Sequence, residues 1–378
     1  MSSPAPMDQD WLLLPTGVSQ LLTMLALVEQ LGIPTARAEM RPWMGDDVSV
    51  RVKDMMGRMA ALAGIRSGEN LDVSFRFVLP RRSLFSCATG FKWLVQPASY
   101  VSSLLREQNP QWADCVDRPV MIPFKPYEFF SLLLCAVRSP RLEFVADGPL
   151  IGADFWNQKP NWRWRGVHNY AARLPGPCRI HCPAALESDT RRFGRPEVVP
   201  DRHFKQVFVR MESLPEVQRC AAALGLGGIP GALVVSQPLW PEMCSLEEDA
   251  DYFCNLMERL AAEGFQRIVF KPHPRDAADK VARIAKRCEP LGRRAEFLSE
   301  TEAVVPIEVL AHYARPAGWI CAGACSTAIL ACRSGLGMQA RCFTADSLPL
   351  ALRETIEKFA GQNGIRLDTL ETGRSSGR

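Results

Sequence analysis

The stretch Arg267–Arg275, with the sequence RIVFKPHPR, decides the fold because it places a histidine directly after a short apolar run. The run stops at a proline, and a helix-compatible stretch follows from Asp276 to Cys288. A β-prone apolar run bounded by prolines predicts a buried strand. We therefore expect His273 at the carboxyl edge of a parallel sheet, where open α/β sheets bind their ligands. An exposed turn histidine without a function is the alternative interpretation.

Composition indicates a globular protein of two domains. The 378 residues include 47% hydrophobic and 23% charged residues with a net charge of +4, so nothing in the composition requires a nucleic-acid partner. The 13 cysteines follow no disulfide framework, which predicts buried thiols in a reducing compartment. We recognise neither a signal peptide nor a membrane-spanning run. The expected location is the cytoplasm, with peripheral contact at the cytoplasmic membrane face left open.

The first half of the chain begins as a Rossmann-like domain does. A predicted strand at Trp11–Leu14 is followed by a turn that holds Thr16 and Gln20, and then by a leucine-rich helix from Ser19 to Leu31. Gly32 ends that helix in the expected way. The pattern therefore predicts a strand, a turn and a helix as the start of a Rossmann-like domain.

Two later stretches of this half carry candidate chemistry. A predicted strand from Arg141 ends at Asp147 and Gly148, where glycine lets the backbone approach a ligand and Asp147 would protrude. Capping of the local turn is the alternative role for this aspartate. The following aromatic and basic loop, which includes Trp162 and Arg163, could stack on sugar rings or cover the core.

The second half alternates regularly between strands and helices. A glycine-rich run, Gly225–Gly231, is the most linker-like segment, and we place the domain boundary after residue 228. Residues 229–371 then form the second domain, and residues 372–378 a disordered tail. Ser245 and Glu248 form a capping box at the start of a long helix. Alternation of this kind predicts parallel βαβ units.

Three strand ends supply a candidate catalytic set at a cleft between the domains. Ser326 and Thr327 lie where a strand passes into a helix, and a helix start binds phosphate or carboxylate through its free N–H groups. Simple helix capping by Ser326 is the alternative. A carboxylate such as Asp147 on one side, with His273 and these donors on the other, suits glycosyl transfer from a nucleotide-activated sugar. No clustered acidic metal ligands are recognised, so we expect neither a metal nor a cofactor.

The chain resembles the bacterial sialyltransferases, in particular the capsular polysialyltransferases and the lipooligosaccharide sialyltransferases. The resemblance spans nearly the whole chain and rests on short motifs in a fixed order: Thr16 with Gln20, Asp147-Gly148, Gln237-Pro238-Leu239, Lys271-Pro272-His273-Pro274, and Ser326-Thr327. Lys-Pro-His-Pro followed about fifty residues later by Ser-Thr is the most specific pair.

The resemblance implies an α/β protein of the GT-B fold, with two Rossmann-like domains facing a central cleft. It implies an inverting, metal-independent transfer of sialic acid, or a related ulosonic acid, from a CMP-activated donor to an oligosaccharide or glycolipid of the bacterial surface. By the same resemblance Asp147 is the base and His273 binds or protonates the donor phosphate. The donor-binding residues are Gln237, Lys271, Pro274, Ser326 and Thr327. The residues expected to contact a substrate are Thr16, Gln20, Gly148, Trp162 and Arg163.

One position departs from the family. Ala146 stands where the motif has the first of two acids before the glycine. A catalytically degenerate nucleotide- or glycan-binding protein is therefore one alternative. A polyol-phosphate transferase of the teichoic-acid polymerase type, which also combines His-Pro with a Ser/Thr site, is the other.

Overall fold

The computed structural model describes the chain as two compact units, Met1–Val207 and Phe208–Arg378. The described residues are 9–44, 50–69, 71–72, 103, 106–107, 115, 117–124, 141–146, 179–191, 195–224, 229, 231–239, 243–314, 318–335 and 337–370. Within these ranges, no helix combines the length and the apolar character that crossing a bilayer would require.

The first unit is built around a seven-stranded sheet in which every pairing is parallel. Its strand order is β4-β2-β1-β6-β7-β8-β9, and β3 and β5 form a separate parallel pair. The elements are β1 (Trp11–Leu13), α1 (Val18–Leu31), β2 (Ala38–Met40), β3 (Trp43–Met44), α2 (Val50–Leu62), β4 (Arg66–Ser67), β5 (Leu71–Asp72), β6 (Val120–Pro123), β7 (Leu142–Val145), β8 (Arg179–Cys182), α3 (Glu187–Thr190) and β9 (Arg195–Val198). Helix α4 (Asp201–Met211) crosses the division between the units.

The predicted strand, turn and helix at the beginning of this unit are confirmed. Strand β1 is fully buried, and α1 ends at Gly32, whose φ of 64° is the left-handed conformation that glycine adopts without strain. Strand β7 ends at Val145, two residues before Asp147. Strands β8 and β9 are additions that the sequence did not predict. Asp147 itself lies outside the described residues.

The second unit has a six-stranded parallel sheet of order β12-β11-β10-β13-β14-β15. Counted from its own first strand, this is the 3-2-1-4-5-6 order of a dinucleotide-binding fold. The elements are α5 (Pro215–Ala223), β10 (Ala232–Val235), α6 (Leu246–Ala262), β11 (Ile268–Lys271), α7 (Ala278–Arg287), β12 (Ala295–Phe297), α8 (Glu300–Ala303), α9 (Ile307–Ala314), β13 (Ile320–Gly323), α10 (Thr327–Leu330), β14 (Gln339–Ala345), α11 (Leu350–Asn363) and β15 (Arg366–Leu370).

Most predicted elements of this unit are confirmed within a few residues. Both halves of the capping box at the start of α6 are formed, because Ser245 Oγ accepts from Glu248 N and the Glu248 side chain accepts from Ser245 N. Strand β15, which pairs with β14, was not predicted. The ten described cysteines are free thiols, and all but Cys244 are buried.

The second unit begins at Phe208, earlier than the boundary predicted after residue 228. The reason is that α5 packs on α8 and α9. Arg219 Nε lies 3.7 Å from Glu302 Oε1, and Cys220 Sγ lies 3.9 Å from the Glu302 carbonyl oxygen. A helix that precedes the glycine-rich run thus belongs to the unit that follows it.

Candidate functional site

The candidate site lies at the carboxyl ends of three adjacent strands in the second unit. Strand β10 pairs with β11 on one side and with β13 on the other, and all three run parallel. The chain adds β11 and β12 on one side of β10 and then returns to add β13 on the other side. The position between β10 and β13 is therefore the topological switch point, where open α/β sheets bind ligands. The loops that leave these strands carry Gln237, His273 and Ser326. Three of the predicted donor-side residues are therefore brought to one sheet edge.

His273 is held by the backbone of its own loop. Its N–H donates to Asp276 Oδ2 at 2.8 Å, its carbonyl accepts from Asp276 N at 2.9 Å, and its ring Nδ1 accepts from Arg275 N at 3.1 Å. Because a backbone N–H can only donate, Nδ1 carries no proton in this arrangement. A neutral ring then has its proton on Nε2. Within the described part of the chain, no hydrogen bond to Nε2 is formed.

The surroundings of His273 keep its ring neutral. Burial above all, together with the positive charge of Arg275, lowers the pKa of His273 from 6.5 to about 3, while the charge of Asp276 acts in the opposite direction. Taken as a whole residue, His273 is still partly exposed. At neutral pH His273 is therefore a hydrogen-bond donor through Nε2 and carries no charge. A bound anion would raise this pKa.

Gln237 and Ser326 connect the loop after β10 with the loop after β13. The side-chain oxygen of Gln237 accepts a hydrogen bond from Cys325 N at 3.3 Å, and the NH₂ group of Gln237 takes no part in this bond. Ser326 caps the short helix α10, and its Oγ accepts from Ala328 N at 3.2 Å. The capping role is observed, and the Ser326 hydroxyl hydrogen is still available for donation. Thr327 follows at the first position of α10 and is partly exposed.

Lys271 points into the fold. Its ammonium group is buried and donates to the Ala303 carbonyl at 2.5 Å, and burial lowers its pKa to about 8. Because the Lys271 side chain is buried and already hydrogen-bonded, it presents no exposed surface to a nucleotide-sugar donor. This geometry does not support the predicted contact between Lys271 and the sugar donor, which stays a prediction. Pro274, by contrast, is partly exposed beside His273.

A buried cluster behind the loops was not predicted. Lys280 Nζ lies 2.9 Å from both Asp249 Oδ2 and Asp276 Oδ1. It also donates to Ser236 Oγ at 3.0 Å and to the Gln237 carbonyl at 2.9 Å. Asp276 and Lys280 lie four residues apart at the start of the predicted helix Asp276 to Cys288, a spacing that could have indicated an ion pair. The burial of that pair depends on the tertiary structure.

The predicted residues of the first unit are only partly described. Thr16 and Gln20 flank the turn between β1 and α1 and are both partly exposed. The Gln20 amide folds over Gly17, where an added Cβ would lie 2.6 Å from Gln20 Oε1. Asp147, Gly148, Trp162 and Arg163 lie outside the described residues, and their roles stay predictions.

The described residues contain no group of three or more histidine, cysteine, aspartate or glutamate side chains placed to hold a metal ion. The predicted independence from metal and cofactor stays a prediction.

Residues 199–337 match the model of the alpha-2,8-polysialyltransferase family. This range contains all three loops of the candidate site. No curated protein matches the chain. The predicted resemblance to the bacterial sialyltransferases is thus confirmed over this part of the chain.

Solved structures with a similar fold include both transferases and another enzyme class. The GT-B domain of a sialyltransferase from Photobacterium damselae is 12% identical with a TM-score of 0.51, over 96% of this chain and 99% of that one. A UDP-glucosyltransferase from Polygonum tinctorium is 10% identical with a TM-score of 0.50, over 93% and 82%. A protein from Listeria monocytogenes assigned as a UDP-N-acetylglucosamine 2-epimerase is 11% identical with a TM-score of 0.50, over 88% and 79%. These likenesses confirm the predicted GT-B fold.

Proposed function

We propose that the protein transfers sialic acid, or a related ulosonic acid, from a CMP-activated donor to a surface glycan, with inversion and without a metal. The observation that carries the proposal is the convergence of Gln237, His273 and Ser326 at the switch point of a Rossmann sheet. This sheet edge lies inside the range that matches the polysialyltransferase family. A role in capsule or lipooligosaccharide synthesis at the cytoplasmic membrane face is the corresponding cellular proposal.

In the proposed reaction, the acceptor hydroxyl oxygen bonds to the anomeric carbon as the bond from that carbon to the phosphate oxygen breaks. The electron pair of the broken bond stays on the phosphate, and the hydroxyl proton passes to a base, for which Asp147 remains the predicted residue. His273 would stabilise the departing phosphate through its Nε2–H. Ser326 and Thr327 would add hydroxyl donors.

The structure favours a hydrogen-bonding role for His273 over proton transfer to the phosphate. A charged imidazole needs a proton on Nδ1, which would break the bond that Nδ1 accepts from Arg275 N. The pKa of about 3 acts in the same direction. We therefore propose a neutral donor that strengthens its bond as phosphate charge develops.

Nucleotide binding and transfer together test the proposal. We expect CMP to raise the melting temperature more than UDP or GDP, and CMP-sialic acid to be consumed in the presence of an oligosialic acceptor. Stabilisation by UDP and not by CMP would overturn the donor assignment. Stabilisation by CMP without turnover would instead indicate the degenerate binding protein that Ala146 suggests, and turnover of a CDP-polyol would indicate the polyol-phosphate transferase.

A further inference from the structure

Lys280 occupies a position that does not favour the stability of its own helix. It lies in the first turn of α7, where the helix dipole disfavours a positive charge. Its side chain is 1% exposed, and the residue before the helix, Ala277, provides no side-chain cap. A buried ammonium at this helix end therefore calls for an explanation outside the helix.

The ammonium is surrounded by two carboxylates and two loop oxygens. Asp249 Oδ2 and Asp276 Oδ1 each lie at 2.9 Å, and the ring of Phe253 lies 4.7 Å from Nζ. Replacing buried ionic clusters by apolar residues of similar volume is often neutral or stabilising. The value of such a cluster to the protein is therefore expected to lie in the geometry that it fixes.

That geometry links the loops of the candidate site. From His273, the backbone N–H donates to one oxygen of Asp276, and the other oxygen of Asp276 accepts from Lys280. Lys280 then donates to the Gln237 carbonyl, and the Gln237 side chain accepts from Cys325 N beside Ser326. One continuous series of hydrogen bonds thus passes through the loops after β11, β10 and β13.

We propose that Lys280 is a positioning residue for the donor site, holding the His273 loop at a fixed distance from the Gln237 loop. The inference rests on the proposed function for the identity of the ligand, and on the contacts above for the coupling between loops. Lys280 is too deeply buried to touch the ligand itself.

A charge-matched double variant separates positioning from charge burial. In the wild type, two carboxylates and one ammonium give the cluster a net formal charge of −1. Lys280→Met combined with Asp249→Asn leaves Asp276 alone, which again gives −1, but the two loops are no longer joined. Asp249→Asn by itself keeps every contact between Lys280 and the loops.

Two controls lie on the same helix. Lys286→Met removes an exposed lysine of α7 and reports the loss of one positive charge. Ile284→Val trims a fully buried side chain of α7 and reports a modest loss of stability.

The readouts are the dissociation constant for CMP and the NMR chemical shift of the His273 backbone N–H. For the double variant we expect CMP affinity to fall by about tenfold or more, because hydrogen bonds to a charged group are lost. We also expect the His273 backbone N–H signal to shift, because this group donates to Asp276, which Lys280 no longer holds. Asp249→Asn, Lys286→Met and Ile284→Val should bind CMP as the wild type does.

A folded double variant with unchanged CMP affinity and an unchanged His273 backbone N–H signal overturns the proposal. If the wild type itself binds no cytidine nucleotide, the proposed function fails, and the His273 backbone N–H signal alone decides whether Lys280 positions the loop. If the double variant does not fold, Ser236→Ala removes a single bond to Lys280 and should weaken CMP binding about threefold to tenfold. Unchanged binding by Ser236→Ala would then count against the proposal.

Discussion

Two histidines close to strand ends, one in each unit, are held in opposite ways. His181 of β8 is 3% exposed, with Nε2 2.8 Å from Glu143 Oε2 and Nδ1 3.9 Å from Glu197 Oε2. His273 contacts no carboxylate through its ring among the described residues, and one ring nitrogen is bound only to a backbone N–H. Both ring nitrogens of His181 thus lie near carboxylates of the sheet, while Nε2 of His273 makes no hydrogen bond to the described residues.

The carboxylate of Glu143, beside His181, belongs to a series of ionisable side chains on neighbouring strands. Glu143 Oε1 also accepts from Arg141 Nε at 2.6 Å. Burial by itself raises the pKa of Glu143, but the hydrogen bonds and charges of His181 and Arg141 outweigh it, so the pKa lies below 4.5. Burial and a titratable pair alone do not identify a site, because here they stabilise a sheet.

Substitution of His273 should have the largest effect on activity. We expect His273→Ala to lower kcat about 100-fold to 1,000-fold, as the loss of one donor to developing negative charge typically does. His273→Asn, which keeps an N–H donor, should lose less. Initial rates with a CMP-activated donor provide the measurement.

His203→Ala makes the same chemical change in α4, at a residue that is not among the predicted site residues, and should keep normal rates. Equal losses for His273→Ala and His273→Asn would argue against a hydrogen-bonding role. Rates within about threefold of the wild type for both would remove His273 from the mechanism.

Substitution of Glu143 should affect stability and leave the candidate site unchanged. We expect Glu143→Gln to lower the free energy of unfolding by about 2 kcal/mol, because charge-assisted hydrogen bonds from two partners are weakened. Urea unfolding gives the value. Glu187→Gln removes the exposed pair with Arg191 and should lower it by less than about 1 kcal/mol. A loss of CMP affinity in Glu143→Gln at unchanged folding would place His181 and Glu143 in the function instead.

Two capping serines sharpen the comparison within the second unit. Ser245 Oγ and Ser326 Oγ each accept a backbone N–H at 3.2 Å. We expect Ser245→Ala and Ser326→Ala each to lower the free energy of unfolding by about 1 kcal/mol. Only Ser326→Ala should also weaken CMP binding, as calorimetry can measure. Similar affinities for the two variants would leave Ser326 with a capping role alone.

The smallest effect concerns the pH dependence of stability. The folded state keeps His273 neutral down to a pKa of about 3, whereas the unfolded chain binds a proton near pH 6.5, so acid favours unfolding between these values. Stability from Glu143 is lost only below about pH 4.5, as protons reach its lowered pKa. Between pH 6.5 and 4.5, His273→Asn should therefore reduce the fall in melting temperature by about 2–4 °C. An identical fall in both proteins would contradict the assigned pKa.

The parts of the fold that sequence predicts best are those where apolar runs end at proline or glycine. The run before Pro272 is strand β11. The predicted site residues His273 and Ser326 follow strand ends, which proline and glycine residues mark in the sequence. Strand β15 escaped prediction because most of its residues are polar and exposed. Strand β8 escaped because Arg179 and His181 need partners on β7 and β9 that are distant in sequence.

The positioning cluster could not be predicted in the same way. Lysine is among the residues most often exposed, and Lys280 looks like an ordinary residue of an amphipathic helix. Its burial follows from the packing of α6 on α7, which brings Asp249 within 2.9 Å. The burial of Lys271 escaped prediction for the same reason, since only the packed structure shows that its ammonium binds the Ala303 carbonyl.

The strand order of the second sheet also determines in which order its strands can pair while the chain is being synthesised on the ribosome. Strand β10 is synthesised first and takes a central place, β11 and β12 extend the sheet on one side, and β13, β14 and β15 extend it on the other. No strand has to enter between two that already pair, so the sheet can grow outward as the chain emerges. Gln237 gains its contact with Cys325 only after β13 has joined β10. The candidate site is therefore completed late in synthesis, after the first half of the sheet has formed.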